Sequence, residues 1–221
     1  MARTSPLTRR LVLAGAAAAV LVGGGGVASA APHKAPRPPK PTEVRPALPA
    51  GQSNPSIANG VAVGSAVATY TASGIGPTDA NPSAPAGTPE RYVDFPGGTL
   101  PPGVTLTEAQ AINALKAIGE NLKAQGLTHR DVISMRAYLA NPPGAGVADF
   151  AGWNRAYRQF YANTDLVTGK VVNVPLGSAP PARPMLVNPA RPARVTIEIE
   201  NLPVNGWLVE VEVVAAFRRH H

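Results

Sequence analysis

The 221-residue sequence contains no cysteine. Disulfides, thiolate zinc sites, iron–sulfur clusters and cysteine nucleophiles are therefore all excluded. Aromatic residues make up only 5% of the chain and charged residues 15%. They form no basic stripe interleaved with aromatics of the kind that nucleic-acid surfaces carry. His129 follows Thr128 in a loop, and His220 and His221 end the chain. None of the three has a partner at metal-ligand spacing, so no metal is expected. Glycine never recurs at every third position over a long run, which excludes a collagen-like helix.

Hydrophobic residues make up 44% of the chain, enough for a real core. The length suits one domain plus extensions. Glycine (22) and proline (25) are abundant and belong in loops and linkers. The formal net charge is +7. Arg3, Arg9 and Arg10 precede residue 31, and Lys34, Arg37, Lys40 and Arg45 lie in a Pro-rich stretch. From residue 46 onward acids and bases nearly balance.

Residues 1–30 have three parts: the arginines, an apolar run from Leu11 to Val22 followed by Gly23–Gly26, and the small-residue exit Ala28-Ser29-Ala30. This is the layout of a signal peptide cleaved after Ala30, and the protein is expected to be secreted or held in the cell envelope. The pair Arg9-Arg10 before Leu11-Val12-Leu13 also resembles a twin-arginine signal, so Sec and twin-arginine export both stay open. An uncleaved anchor is a third option, though four consecutive glycines fill hydrocarbon poorly. Residues 31–55 are Pro-rich with few apolar anchors, and a disordered polyproline-II linker is expected there.

From residue 56 the period of the apolar residues carries the reading. VAVGSAVATYTAS (61–73) is β-compatible and broken at Gly64-Ser65, which predicts a two-stranded hairpin. Residues 76–103 read as loop. Thr107 and Gln110 form a capping-box pair ahead of Ile112, Leu115, Ile118 and Leu122, and Gly126 suits a left-handed C-terminal cap. A helix from Glu108 to Gln125 follows. Asp131–Ala140 alternates as a strand. A second helix carries Phe150, Trp153, Asn154, Tyr157 and Phe160, and Pro-rich loop follows it. Arg194–Asn201 and Gly206–Phe217 then alternate on either side of the turn 202–206. The order ββαβαββ predicts an α+β fold with both helices on one face of a mixed sheet.

Four segments in this order resemble the RidA/YjgF family: ALKAIGENLKAQG (114–126), VISMRAYLAN (132–141), DFAGWNRAYRQFY (149–161), and PARVTIEIENLP (192–203) with LVEVEVVAA (208–216). The resemblance covers most of residues 56–221. It implies a chorismate-mutase-like fold, a homotrimer with clefts between subunits, and no metal or organic cofactor. It also implies deamination by hydrolysis of small reactive imine/enamine acids to 2-keto acids and ammonia. In residue terms, Arg194 would hold the substrate carboxylate and Glu210 would orient the water. Asn154 would line the cleft, and the backbone of Ser73 and Gly74 would face the carboxylate.

The residue types suit that chemistry. A guanidinium grips a carboxylate bidentately, and a glycine N–H approaches closely because no Cβ intervenes. A carboxylate that accepts a proton from water is expected to contribute ~10²–10⁴-fold. Alternation puts Arg194, Thr196 and Glu198 on one face. If the turn 202–206 pairs Glu198 with Glu210, Arg194 and Glu210 share that face, about 13 Å apart at strand rise. Two more copies of the tripeptide, Pro181-Ala182-Arg183 and Pro189-Ala190-Arg191, precede the one ending at Arg194, which alone runs directly into the strand. Tyr138, Trp153, Tyr157 and Phe160 read as core or interface packing.

The chain departs from the family in lacking a tyrosine after its early proline, where Pro55 is followed by Ser56-Ile57, and in its long loops 76–103 and 162–190. A non-catalytic trimeric module binding a small carboxylate or an envelope partner is the alternative. The leader reading predicts that N-terminal sequencing of the exported protein begins Ala31-Pro32-His33. A membrane-bound chain still starting at Met1 would establish the anchor instead.

Overall fold

In the computed structural model, which describes residues 37–217, the helical stripe around Ile112 forms α1, Leu106–Ala124. Ile112, Leu115, Ile118 and Leu122 are all fully buried, so the stripe is the core-facing side. The helix starts two residues earlier than expected. Thr105, not Thr107, is its cap, accepting from the Glu108 N–H at 3.1 Å. Gln110 instead donates to the carbonyls of Pro89 and Gly206 and accepts from the Leu208 N–H, tying α1 to two loops. Packing decides the choice: Thr107, Glu108 and Gln110 are all buried, whereas Thr105 also reaches Asp149, the cap of the second helix. Gly126 has φ +72°, the left-handed stop its position suggested.

The remaining elements, in chain order, are β1 (Val44–Ala47), β2 (Gly60–Val63), β3 (Thr69–Thr71), β4 (Val132–Leu139), α2 (Phe150–Phe160), β5 (Ala193–Glu198) and β6 (Val209–Ala216). A four-stranded sheet has the order β3-β6-β4-β5, with β4 and β5 parallel and the other pairs antiparallel. Met135, Ala137 and Leu139 of β4 and Val209, Val211 and Val213 of β6 share one buried cluster with α1 and α2. This is the expected α+β fold, two helices with a mixed sheet.

Three local expectations fail. β5 and β6 do not form a hairpin, because β4 lies between them. The most apolar strands, β4 and β6, take the centre, while β5, whose residues are half-buried or exposed, takes the edge. Burial outweighs the turn signal at 202–206. Nor do residues 61–73 form one hairpin: β3 pairs with β6, and β2 pairs with β1.

β1 lies within the stretch expected to be linker, so that description fails over 44–47. Pro46 is tolerated because the Glu43 carbonyl accepts from the Gly64 N–H at 2.8 Å. By alternation Glu43 and Arg45 hold the bonded positions, and the missing N–H of Pro46 faces outward. The described residues form one unit that begins at Arg37, ahead of the expected boundary at 56. The leader lies outside the described residues, among which no helix is long and apolar enough to cross a membrane.

His129 is buried in a 3₁₀ turn, with its Nδ1 2.7 Å from the Tyr161 hydroxyl. Burial lowers its pKa from 6.5 to about 4, against a hydrogen bond to the Leu115 backbone that raises it. Between those values the unfolded chain binds the proton and the folded chain does not. Stability is therefore complete above the unfolded value and falls as pH drops towards 4, by on the order of 3 kcal/mol. Urea melts at pH 7 and pH 4.5 should show this fall, and His129→Gln should flatten it. An equal slope in the variant would assign the acid sensitivity to other groups.

Candidate functional site

Arg194 lies on the edge strand β5 opposite Met135, and therefore on the helix-covered face of the sheet. Its guanidinium carbon sits 4.2 Å from the centroid of the Tyr157 ring and 6.0 Å from that of Trp153. Both distances suit cation–π attraction. Nη2 donates to Asn154 Oδ1 at 2.8 Å, while Nη1 is buried and has no acceptor. Burial lowers the pKa of Arg194, but an arginine stays charged at any physiological pH. A planar cation is thus fixed in place with one arm unused.

The platform beneath it comes from α2. Its cap Asp149 accepts from the Gly152 N–H at 2.8 Å. Trp153, Tyr157 and Phe160 are buried at helical spacing, and Asn154 stays exposed beside them. Trp153 Nε1 donates to Thr196 Oγ1 at 3.1 Å, two residues beyond Arg194. Tyr157 stacks on Tyr161 with centroids 5.2 Å apart, and its hydroxyl donates to the Ser56 carbonyl at 2.9 Å. Reading Tyr157 as core was right about its burial but missed that its face supports Arg194. The i, i+3 spacing of Asn154 and Tyr157 was the available signal.

Glu210 lies on β6 opposite Tyr138, on the other face of the sheet. The expected sharing of one face by Arg194 and Glu210 does not occur within a chain. That expectation assumed the β5–β6 hairpin, and inserting β4 removes it. Glu210 has no hydrogen-bond partner among the described residues. Burial raises its pKa, and the neighbouring charge of Glu212 raises it further. Glu212 instead meets Arg136 Nη1 and the Tyr138 hydroxyl, each at 3.4 Å. Of the two acids, one is paired and the other is left unpaired.

Ser73 and Gly74 follow β3 at a bulge. Thr71 pairs with Val214 and Ile75 bridges to Val211, so four steps on one strand face three on the other. The N–H groups of Ala72 and Ile75 bond to Val213 and Val211, while those of Ser73 and Gly74 have no acceptor among the described residues. A Cβ on Gly74 would fall 1.8 Å from Glu210 Oε1, so the carboxylate lies directly against the glycine backbone. The site therefore has two halves: Arg194 with Asn154, and Glu210 with Ser73 and Gly74.

The other arginines of the repeated tripeptide separate clearly. Arg183 is exposed. Arg191 is buried, and its donors are taken by the carbonyls of Pro55, Pro189 and Thr164 and by Asn54 Oδ1. It fastens the segment before β2 to the loop before β5. The long loops are likewise fastened to helices, 76–103 through Gln110 and Asn113 of α1, and 162–190 through Gln159 of α2 and through Asn163 of the loop, which donates to the Arg158 carbonyl. No cluster of three or more groups able to hold a metal ion occurs among the described residues.

The family described as Endoribonuclease L-PSP matches residues 98–217 of the chain. Among solved structures the chain is similar to YyfB of Yersinia pestis, a conserved Rid-family protein of unknown function. They are 17% identical over 79% of this chain and 98% of that one, with a TM-score of 0.43. A YjgF/YER057c/UK114-family protein of Mycobacterium tuberculosis is 18% identical over 79% of this chain and 100% of that one, with a TM-score of 0.37. TdcF of Escherichia coli, solved with bound serine, is 19% identical over 79% of this chain and 98% of that one, with a TM-score of 0.38. Among curated proteins none is a significant match.

The contact at Gly74 generates a prediction. In Gly74→Ala the new methyl displaces the flexible carboxylate of Glu210 rather than the backbone, so the fold is retained. With burial relieved, a carboxyl NMR titration should show Glu210 falling back towards the ordinary carboxylate range. An unmoved titration would mean the carboxylate does not rest on Gly74.

Proposed function

The chain belongs to the Endoribonuclease L-PSP family, the RidA/YjgF group, and from that premise we propose that it hydrolyses small reactive 2-imino and enamine acids to 2-keto acids and ammonia. The observation that carries the reading is Arg194, whose guanidinium is fixed by Asn154 and Tyr157 while Nη1 has no acceptor. A carboxylate is the ligand that completes such a fork.

Because Arg194 and Glu210 lie on opposite faces within one chain, the complete site brings together Arg194 and Asn154 of one copy and Glu210, Ser73 and Gly74 of another. Exposed apolar residues support this assembly. Val195 and Ile197 alternate with Arg194 on β5, on the Glu210 face of the sheet, and remain 53% and 36% exposed. A homotrimer with three such clefts is the proposed form.

In the cleft the substrate carboxylate lies on Arg194 and on the free N–H groups of Ser73 and Gly74. Glu210, unpaired and more basic than an ordinary carboxylate, orients a water and takes its proton as the oxygen adds to the protonated imine carbon. The resulting carbinolamine receives that proton on nitrogen. Its hydroxyl proton passes to Glu210 as the C–N bond breaks, releasing ammonia, which takes up that proton, and leaving the 2-keto acid. Water is the only co-reactant. An enamine enters after protonation at carbon gives the same iminium ion. The leader read over residues 1–30 adds that this chemistry occurs outside the cytoplasm.

The test generates 2-aminoacrylate and 2-iminobutyrate with a dehydratase and follows imine loss by semicarbazide trapping. Wild-type protein should accelerate the loss. Glu210→Gln should lower kcat by about 10²–10⁴-fold, and Arg194→Ala should lower kcat/KM by at least as much. Light scattering should give the mass of three chains. A strict monomer that leaves both imines at their buffer rates would reject hydrolysis and leave Arg194 as a carboxylate-binding site alone.

A further inference from the structure

Three arginines act electrostatically on Tyr157: Arg194, Arg158 and Arg191. Among the described residues no salt bridge to an acid is made by any of them, although each is partly or wholly withdrawn from water. Arg191 needs none, since its donors are filled by neutral acceptors. Arg194 has one arm unfilled. Arg158 makes a single side-chain hydrogen bond, from Nη1 to Ser56 Oγ at 3.3 Å, and its other donors have no acceptor among the described residues. Burial lowers its pKa as it does that of Arg194.

The placement of Arg158 is specific. Asn154 and Arg158 are one turn apart on α2, where side chains are neighbours with Cβ atoms about 6 Å apart. Arg194 bonds to the first, and the second meets Ser56, whose own carbonyl receives the Tyr157 hydroxyl. A continuous line therefore runs from Arg194 across the Tyr157 ring to Ser56 and Arg158. Ser56 is also where the chain departs from the resembling family by lacking a tyrosine. A small hydroxyl there leaves room beside a second cation.

From this arrangement we infer that Arg158 is a specificity-determining residue that receives a second anionic group, and that the preferred substrates are dicarboxylic 2-imino acids of four or five carbons. The inference rests on the proposed hydrolysis for its substrate form. The α-carboxylate lies on Arg194, and the side-chain carboxylate reaches past the exposed Asn154 to Arg158, one turn further along α2. Two cations with no acid beside them repel each other, and a dianion bridging them removes that repulsion while a monocarboxylate does not.

The experiment compares 2-iminoglutarate with 2-iminobutyrate, each made in place by an amino-acid oxidase, using wild type, Arg158→Gln and Arg158→Lys. In parallel, binding of the unreactive acids glutarate and butyrate is measured by calorimetry. The wild type should favour the dicarboxylate in kcat/KM. Arg158→Gln should reduce the ratio of the two values by about 10- to 100-fold, with lysine restoring part of it. Glutarate should bind more tightly than butyrate in the wild type, and this difference should vanish in Arg158→Gln. If neither imine is turned over, the hydrolysis reading fails, yet a glutarate preference that depends on Arg158 still establishes the two-anion site. Turnover with an unchanged ratio overturns this inference alone. So does a change of oligomeric mass in Arg158→Gln with selectivity retained, which would assign the arginine to subunit packing.

Discussion

The arrangement depends on the seating of Tyr157. Its ring is clamped from below by Tyr161, its hydroxyl is held by the Ser56 carbonyl, and its upper face supports the Arg194 guanidinium. A buried cation is costly unless something replaces water around it. Here an aromatic face and one amide oxygen do so, and neither is charged. The positive charge of Arg194 is therefore left unneutralised and directed at whatever enters. An aspartate in place of Asn154 would stabilise the arginine better and occupy the charge that the proposed carboxylate ligand would meet.

The two halves of the site are prepared by opposite means. On the helix side, packing fixes Arg194: α2 is anchored at its start by the Thr105–Asp149 contact and along its length by the bond from Arg155 to the wholly buried Glu108, whose other oxygen accepts from the Gly177 N–H. On the other face, an irregularity frees the groups. The bulge after β3 leaves two N–H groups out of the ladder, and pairing of Glu212 with Arg136 leaves Glu210 as the acid without a partner. Rigid framework and exposed functional groups are thus separated by the thickness of one sheet.

Much of the framework was legible in the sequence. α1 and α2 follow from apolar spacing, β4 and β6 from alternation, and Gly126 from the demand for positive φ. Neighbour relations were not legible. The turn at 202–206 carries a good hairpin signal, yet it connects an edge strand to a central one because burial across four strands outweighs a five-residue turn. β1 was hidden by Pro46, whose fault disappears only when its partner is known. The candidate site residues were named through resemblance, whereas their division between two faces required the strand order. A lone arginine on a helix looks like ordinary solvated surface, and only the position of Ser56 points to the role proposed for Arg158.

The strand order also governs when the molecule can fold. β3 has β6 as its neighbour in the sheet, and β6 is both the last strand among the described residues and the one that joins β3 to β4. Until Ala216 is available, β3 has no edge to join and the inner face of α1 has only half a floor. Such a chain closes late and in one step, because its sheet rests on contacts between distant parts of the sequence. During synthesis the sheet can be completed only once β6 has been made.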